Sequence, residues 1–364
     1  MSLIKNIFKK KETLITSYSD FWIWFREHHN QFHKVVQNGK RIEKAFFDKI
    51  SPKLGQLNDG FYYVAGMYND TTAELIITAD GAVNNIVFVE ELVQSAPALD
   101  GWRFTALKSA MNIEDLNIDM AGLRFDATNL HFYHNNDPAF PDEIDLTIVY
   151  DSLNEGNRKN AHIGVNIYLD NLLGELEFAT SIDNLNVVGR SEAEGELIPI
   201  QKLKSYLAWR QKEFVEKYEG MRHGTEDDNY SLIEGELKNG RKWLATVNTD
   251  LLSWDAKASH PWILTVEIKY NGEGNNGMPN NDTYLLLNQI EDEILSELQE
   301  CEGYLNIGRE TADGVREIYF ACSEFRKPSK VAHAVTKRYA DEFEISYEIY
   351  KDKYWRSFNR FSVS

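Results

Sequence analysis

The chain has 364 residues, 43% hydrophobic and 12% aromatic, which is core material for more than one domain and argues against a disordered protein. Its net charge of −18 argues against nucleic acid as a partner, because phosphate binding needs clustered Lys and Arg. The two cysteines, Cys301 and Cys322, are too few for a disulfide scaffold and lack metal-ligand spacing, so a cytoplasmic location is expected.

Charge is unevenly spread: residues 1–58 carry +6, 59–196 carry −18, 197–220 carry +2 and 221–364 carry −8. At the start, Leu3, Ile4, Ile7 and Phe8 sit beside Lys5 and Lys9–Lys11. This short basic amphipathic segment suits a membrane surface or a partner groove, but reads first as a frayed terminus or a short helix docked on the body. It does not read as a secretory signal, and no apolar run reaches the roughly 18–20 residues of a membrane span, so no transmembrane segment is expected.

An apolar stripe of Phe21, Trp22, Phe25, Phe32, Val35 and Val36 predicts a helix over 19–37, and a second is expected from Lys40 to about Ser51, bent or restarted at Pro52. His28, His29 and His33 fall in the first. His29 and His33 lie one turn apart, a spacing that can chelate zinc, yet no third ligand accompanies them and no metal or cofactor is expected. Strands are predicted over 61–67, 73–78 and 102–107, with a helix over 84–95. Asp80-Gly81 reads as a turn instead of a catalytic carboxylate. Segments 130–133 and 144–150 read as strands, and Ile163, Val165, Ile167 and Leu169 alternate as a further strand. A helix over 200–218 closes this half, and the polar run 221–229 reads as a linker. The organisation expected is therefore an α+β domain with a helical N-terminus over 1–220, a linker, and a second domain over 230–364.

The second domain begins with strands near 243–248 and 262–270. From Trp262 onward the order is βαββαβ, a ferredoxin-like split βαβ arrangement with an antiparallel sheet, one additional strand in front and both helices on one face. Its first helix, 282–300, is capped by Asp282. It buries Leu287, Ile290, Ile294 and Leu298, while Glu291, Asp292 and Glu293 form a solvated face. Gly272 to Gly277 precedes this helix but lacks the Lys-Ser/Thr of a phosphate loop. Asp313-Gly314 is a hairpin turn, followed by a helix over 328–340 and a strand over 343–350.

Arg309, Arg316 and Tyr319 are the candidate binding residues. The two arginines flank the hairpin turn and either receive a carboxylate or phosphate group or pair across the strands with Glu310 or Glu317. Trp22, Trp24, Trp102, Trp243, Trp254, Trp262 and Trp355 read as core or domain-interface anchors instead of ligand stackers. No nucleophile elbow, activated cysteine or dinucleotide fingerprint occurs.

The stretch from about Asn229 to Phe361 resembles the bacterial domain of unknown function 695. The residues carrying the likeness are Asn276-Gly-Met-Pro279, Ile290-Glu-Asp-Glu293, Tyr304-Leu-Asn-Ile-Gly-Arg309, Asp313-Gly314 and Glu317-Ile-Tyr-Phe320. More distantly, the helix and hairpin resemble the regulator of ribonuclease activity B, which implies a protein that binds and inhibits instead of catalysing. With no catalytic constellation, a non-catalytic binding or regulatory module acting through protein contacts is the leading expectation. The alternative is a hydrolase with a site assembled at an interdomain cleft.

Overall fold

The computed structural model describes residues 14–361, so the basic segment 1–11 lies outside the described residues. The chain divides into two compact units: residues 1–110 with 174–176, and residues 111–173 with 177–364.

In the first unit, helix α1 (Tyr18–Asn38) starts at Ser17, whose hydroxyl accepts from the Asp20 amide at 3.2 Å, and stops at Gly39 in the left-handed region (φ 64°). A short helix α2 (Asp48–Gly55) follows, then strands β1 (Tyr62–Met67) and β2 (Ala73–Thr78), helix α3 (Val83–Gln94) and strand β3 (Trp102–Ala106). The three strands form one sheet, antiparallel between β1 and β2 and parallel between β2 and β3. The buried stripe of α1 packs on it, with Phe25 edge-on to Trp102 at 5.0 Å between ring centroids.

Glu175 ties the turns of this unit together. Its buried carboxylate accepts from the Thr78 hydroxyl (2.5 Å) and from the amides of Ala79 (3.0 Å), Gly81 (3.1 Å) and Lys108 (3.1 Å). Asp80 and Gly81 both have positive φ, so Asp80-Gly81 is a turn after β2.

The second unit opens with a two-stranded ribbon, β4 (Ile118–Met120) and β5 (Leu123–Phe125). Strands β6 (Leu130–His134) and β7 (Asp145–Tyr150) come next, then helix α4 (Arg158–Leu173), the short helix α5 (Glu175–Ser181, which starts within the first unit), strands β8 (Asn184–Gly189) and β9 (Ile198–Pro199), and helix α6 (Leu203–Tyr218). The sheet order is β8-β7-β6-β9, with β7 and β8 parallel around the α4 crossover.

The strand expected from the alternation of Ile163, Val165, Ile167 and Leu169 is instead the middle of α4. Its buried positions are Ala161, Gly164, Val165, Tyr168, Leu169, Leu172 and Leu173, a helical spacing, while Ile163 and Ile167 face solvent. Four β-branched and aliphatic residues in alternation mimicked a strand because two of them are merely exposed apolar side chains.

Residues 221–229 carry no helix or strand. Beyond them run strands β10 (Tyr230–Glu236) and β11 (Lys242–Asn248), one helical turn α7 (Thr249–Leu252), strand β12 (Trp262–Lys269), helix α8 (Asn281–Glu297), strands β13 (Tyr304–Ala312) and β14 (Val315–Cys322), helix α9 (Arg326–Arg338) and strand β15 (Glu344–Lys351). The order β13-β14-β12-β15, antiparallel throughout, is the ferredoxin-like topology. Two strands, not the single one expected, extend it beyond β13, because Tyr230–Glu236 has too few buried residues to read as a strand. The cap of α8 is Asn280, whose side chain accepts from the Thr283 amide at 2.9 Å, two residues earlier than expected.

Helices α8 and α9 pack side by side and bury Leu287, Ile290, Ile294, Ala332 and Val335. On the opposite face, Ile263, Leu305, Tyr319 and Ala321 lie under Trp355 and under Phe358 and Phe361 of the final turn (Arg356–Phe361).

Candidate functional site

Strand alternation decides where the hairpin side chains go. Counting from Leu305 and Ile307, simple alternation would send Arg309 to the face of the final turn. A bulge between Asn306 and Gly308 resets the count, so Arg309 and Thr311 point to the helix face together with Arg316. Only glycine fits at 308: its φ is 141°, and a Cβ there would stand 2.2 Å from the Thr246 carbonyl oxygen.

The arginines do not pair with Glu310 or Glu317. Neighbouring positions of a strand face opposite ways, and the two glutamates are each other's cross-strand partners. Instead Arg309 Nη1 donates to Glu291 Oε2 at 2.5 Å, and Arg316 Nη1 lies 3.9 Å from the same oxygen. Arg316 Nε donates to Thr311 Oγ1 (3.1 Å) and its Nη1 to Asn288 Oδ1 (2.8 Å), while the Tyr284 ring packs on the guanidinium. Glu291 is therefore buried, against the solvated face expected for Glu291 to Glu293. It sits four residues after Leu287 and three before Ile294, so it belongs to the buried stripe of α8.

Arg316 is 2% exposed. Burial, reinforced by the Arg309 charge, lowers its pKa, and the Glu291 carboxylate opposes that shift. It remains cationic, as arginine does in proteins.

Both guanidiniums line an open cleft of about 450 Å³. Its wall is Leu232, Leu244 and Thr246 from the two added strands, and its rim is Met278 to Asn281 and Tyr284 at the start of α8. Glu291 does not line it. The cleft thus has apolar walls, a floor with two cations, and their countercharge behind. Such a shape holds a group with an acidic end and an apolar body.

Tyr319 belongs to a separate cluster on the other face. Its hydroxyl lies 2.5 Å from Glu310 Oε1 and 2.7 Å from Glu317 Oε2, and Arg360 Nη2 donates to it at 3.0 Å. Trp243 Nε1 donates to Glu310 at 3.0 Å. Burial, with Glu310 opposite, pushes the Glu317 carboxyl up to about 7.

A second, polar cleft of about 450 Å³ lies between the middle sheet and the C-terminal segment, lined by Asn135, Asp137, Phe140, Glu143, Asp145, Asn184, Leu185, Asn186 and Arg356. Glu143 accepts from Arg356 (2.6 Å) and Asn184 (3.0 Å), and burial raises its pKa.

The histidines of α1 are engaged with backbone: His29 Nδ1 lies 2.6 Å from the Arg26 carbonyl and His33 Nε2 2.9 Å from that of Thr71. Among the described residues no group of three or more His, Cys, Asp or Glu is placed to hold a metal ion, and no helix is long and apolar enough to cross a membrane.

All the residues lining the arginine cleft except Leu232 lie in a region that a family model matches. Residues 237–362 match the profile of a family of unknown function, domain of unknown function 695. No curated protein and no solved structure matches the chain, so the more distant likeness to the regulator of ribonuclease activity B gains no support from them.

Proposed function

We propose that this protein is a non-catalytic binding or regulatory module that acts through protein contacts, with the Arg309–Arg316 cleft as its recognition site. The observation that carries the reading is Arg316. A guanidinium is seldom so deeply buried unless paired, and this one shares a single carboxylate, 3.9 Å away, with a second arginine. Two cations, one countercharge and an open, apolar-walled approach suit an acidic group offered by a partner. Exposed Leu232 in the wall and Tyr284 on the rim suit a protein surface around that group. A cytoplasmic setting fits the two free cysteines, one of them exposed. Affinity capture at low salt with the wild type and with Arg309→Glu tests the reading: a partner retained by the first and lost by the second is expected. Equal recovery of the same partners by both would count against it.

A second reading, a hydrolase, draws on the polar cleft. There Glu143, kept protonated more readily by burial, stands among Asp145, Asn135 and Asn184 as a candidate proton donor. Glu143→Gln should abolish any ester or amide hydrolysis found with the purified chain; activity unchanged by it would remove this reading.

A further inference from the structure

The charge count and the unused donors of the arginine cleft narrow what it accepts. Arg309 spends Nη1 on Glu291, and Arg316 spends Nε on Thr311 and Nη1 on Asn288. Among the described residues, Arg309 Nε and Nη2 and Arg316 Nη2 have no hydrogen-bond partner, so donors from both guanidiniums stay unspent. Two guanidiniums against one carboxylate leave the site a single positive charge. The register of the sheet then sets the surroundings: Thr246 pairs with Arg309, and Leu232 pairs with Thr246, so the approach to the cations runs over Thr246 and Leu232.

We infer that the cleft binds a partner segment bearing one carboxylate flanked by apolar side chains, the carboxylate spanning Arg309 and Arg316 while its neighbours lie on Leu232, Leu244 and Tyr284. This rests on the proposed reading of the cleft as a protein-recognition site and names the chemistry of the partner. A monoanion matches the single uncompensated charge. A dianionic phosphate would bring a second negative charge toward Glu291, which cannot move away because Leu287, Ile290 and Ile294 fix its helix in the core. The planar fork of each guanidinium also fits a carboxylate's two oxygens.

Calorimetric titration of the full chain with synthetic probes tests this. The probes are a short peptide with one glutamate between leucines, the same peptide with glutamine or with phosphoserine in its place, and octanoate. The glutamate peptide should bind about tenfold or more tighter than the glutamine peptide, the worth of a charge-assisted hydrogen bond in a partly dry site. Arg309→Gln should erase that preference. Because Arg309→Gln also removes a partner of Glu291, Thr246→Glu serves as the second variant: it seats a carboxylate beside Arg309 and should weaken the glutamate peptide about tenfold, with circular dichroism confirming an unchanged fold. Equal binding of the glutamate and glutamine peptides would overturn the carboxylate assignment and leave a docking cleft standing. Tightest binding by the phosphoserine peptide would overturn the monoanion assignment. Binding of octanoate alone would overturn both this inference and the protein-partner reading. Failure of every probe would overturn the inference, and the capture experiment then judges the broader reading by itself.

Discussion

Glu310 and Glu317 stand opposite one another across the β13–β14 hairpin, and the Tyr319 hydroxyl lies within hydrogen-bond distance of both carboxylates. A tyrosine carries one hydroxyl hydrogen, so it can donate to only one of them; the other contact needs a proton on the second carboxyl. Glu317 supplies it. Burial and the neighbouring Glu310 push its pKa from 4.5 to about 7, whereas at Glu310 burial is outweighed by the neighbouring Glu317 carboxyl, the Tyr319 hydroxyl and the charge of Arg360, which hold it low. The folded state therefore keeps a proton on Glu317 that the unfolded chain loses near 4.5. This contribution to stability is full below about pH 4.5 and disappears as pH rises to about 7. Glu317→Gln, a permanent mimic of the protonated acid, should lack that decline. Urea midpoints measured from about pH 5 to pH 8 check it: the gap between variant and wild type should widen with pH, and parallel curves would refute the assignment.

Glu291 is the sole carboxylate within ion-pairing distance of Arg316 among the described residues, and it is shared with Arg309. Removing it strands a buried guanidinium, whereas removing Arg309 leaves Glu291 with Arg316 still nearby. Glu291→Ala should thus cost about 3–5 kcal/mol, the range for an uncompensated buried charge, and Arg309→Ala clearly less. Denaturant unfolding of the two variants gives the comparison; an equal or inverted order would show that Arg316 draws its compensation elsewhere.

Much of the fold was legible because it is written in local signals. The stripe of α8, the Asp313-Gly314 turn and the alternation of β15 each specify one element and together give the βαββαβ order. What escaped was long-range or two-signed. β10 has an exposed face on an added edge, so no apolar pattern marks it. In α4, exposed Ile163 and Ile167 counterfeit a strand. The bulge at Gly308, which turns Arg309 toward Arg316, leaves only a glycine as its trace. Naming both arginines as a pair was possible from the turn they flank, but grouping Tyr319 with them was not sound, since positions 316 and 319 of one strand face opposite ways. Glu291 could have been found as the one acid on an apolar helical stripe.

Glu175 shows how a distant residue can hold a unit whose local sequence gives no hint of it. Four donors from Thr78, Ala79, Gly81 and Lys108 converge on its buried carboxylate. Glu175→Ala leaves several buried donors without a partner, at about 1–3 kcal/mol each, so a loss on the order of 4 kcal/mol is expected. Glu175→Gln keeps one acceptor oxygen and should lose less. Amide hydrogen exchange at Ala79, Gly81 and Lys108 provides the local readout. Unchanged protection there in the alanine variant would mean the turns stand without it.

Asp183 faces two cations at once: Lys351 Nζ at 2.8 Å and Lys353 Nζ at 2.7 Å. Lys353 is almost wholly buried, and burial, aided by the Lys351 charge, lowers its pKa to about 8. For a lysine depressed in the folded state the sign is unfavourable at neutral pH: the folded form releases its proton more easily than the unfolded one, so its contribution to stability rises between about 8 and 10.5 and is lost as pH falls through 8. Lys353→Met removes that burdened charge and leaves Asp183 with Lys351 and the Ile144 amide, which donates to it at 2.7 Å. Asp183→Asn instead leaves two lysines together without their carboxylate. The asparagine variant should therefore lose about 3 kcal/mol or more, and the methionine variant much less. Raising the pH from about 7 to 9.5 should recover part of the loss in Asp183→Asn, because Lys353 can then shed its charge. A loss that stays constant over that range would show that the asparagine acts through packing and not through the stranded lysines.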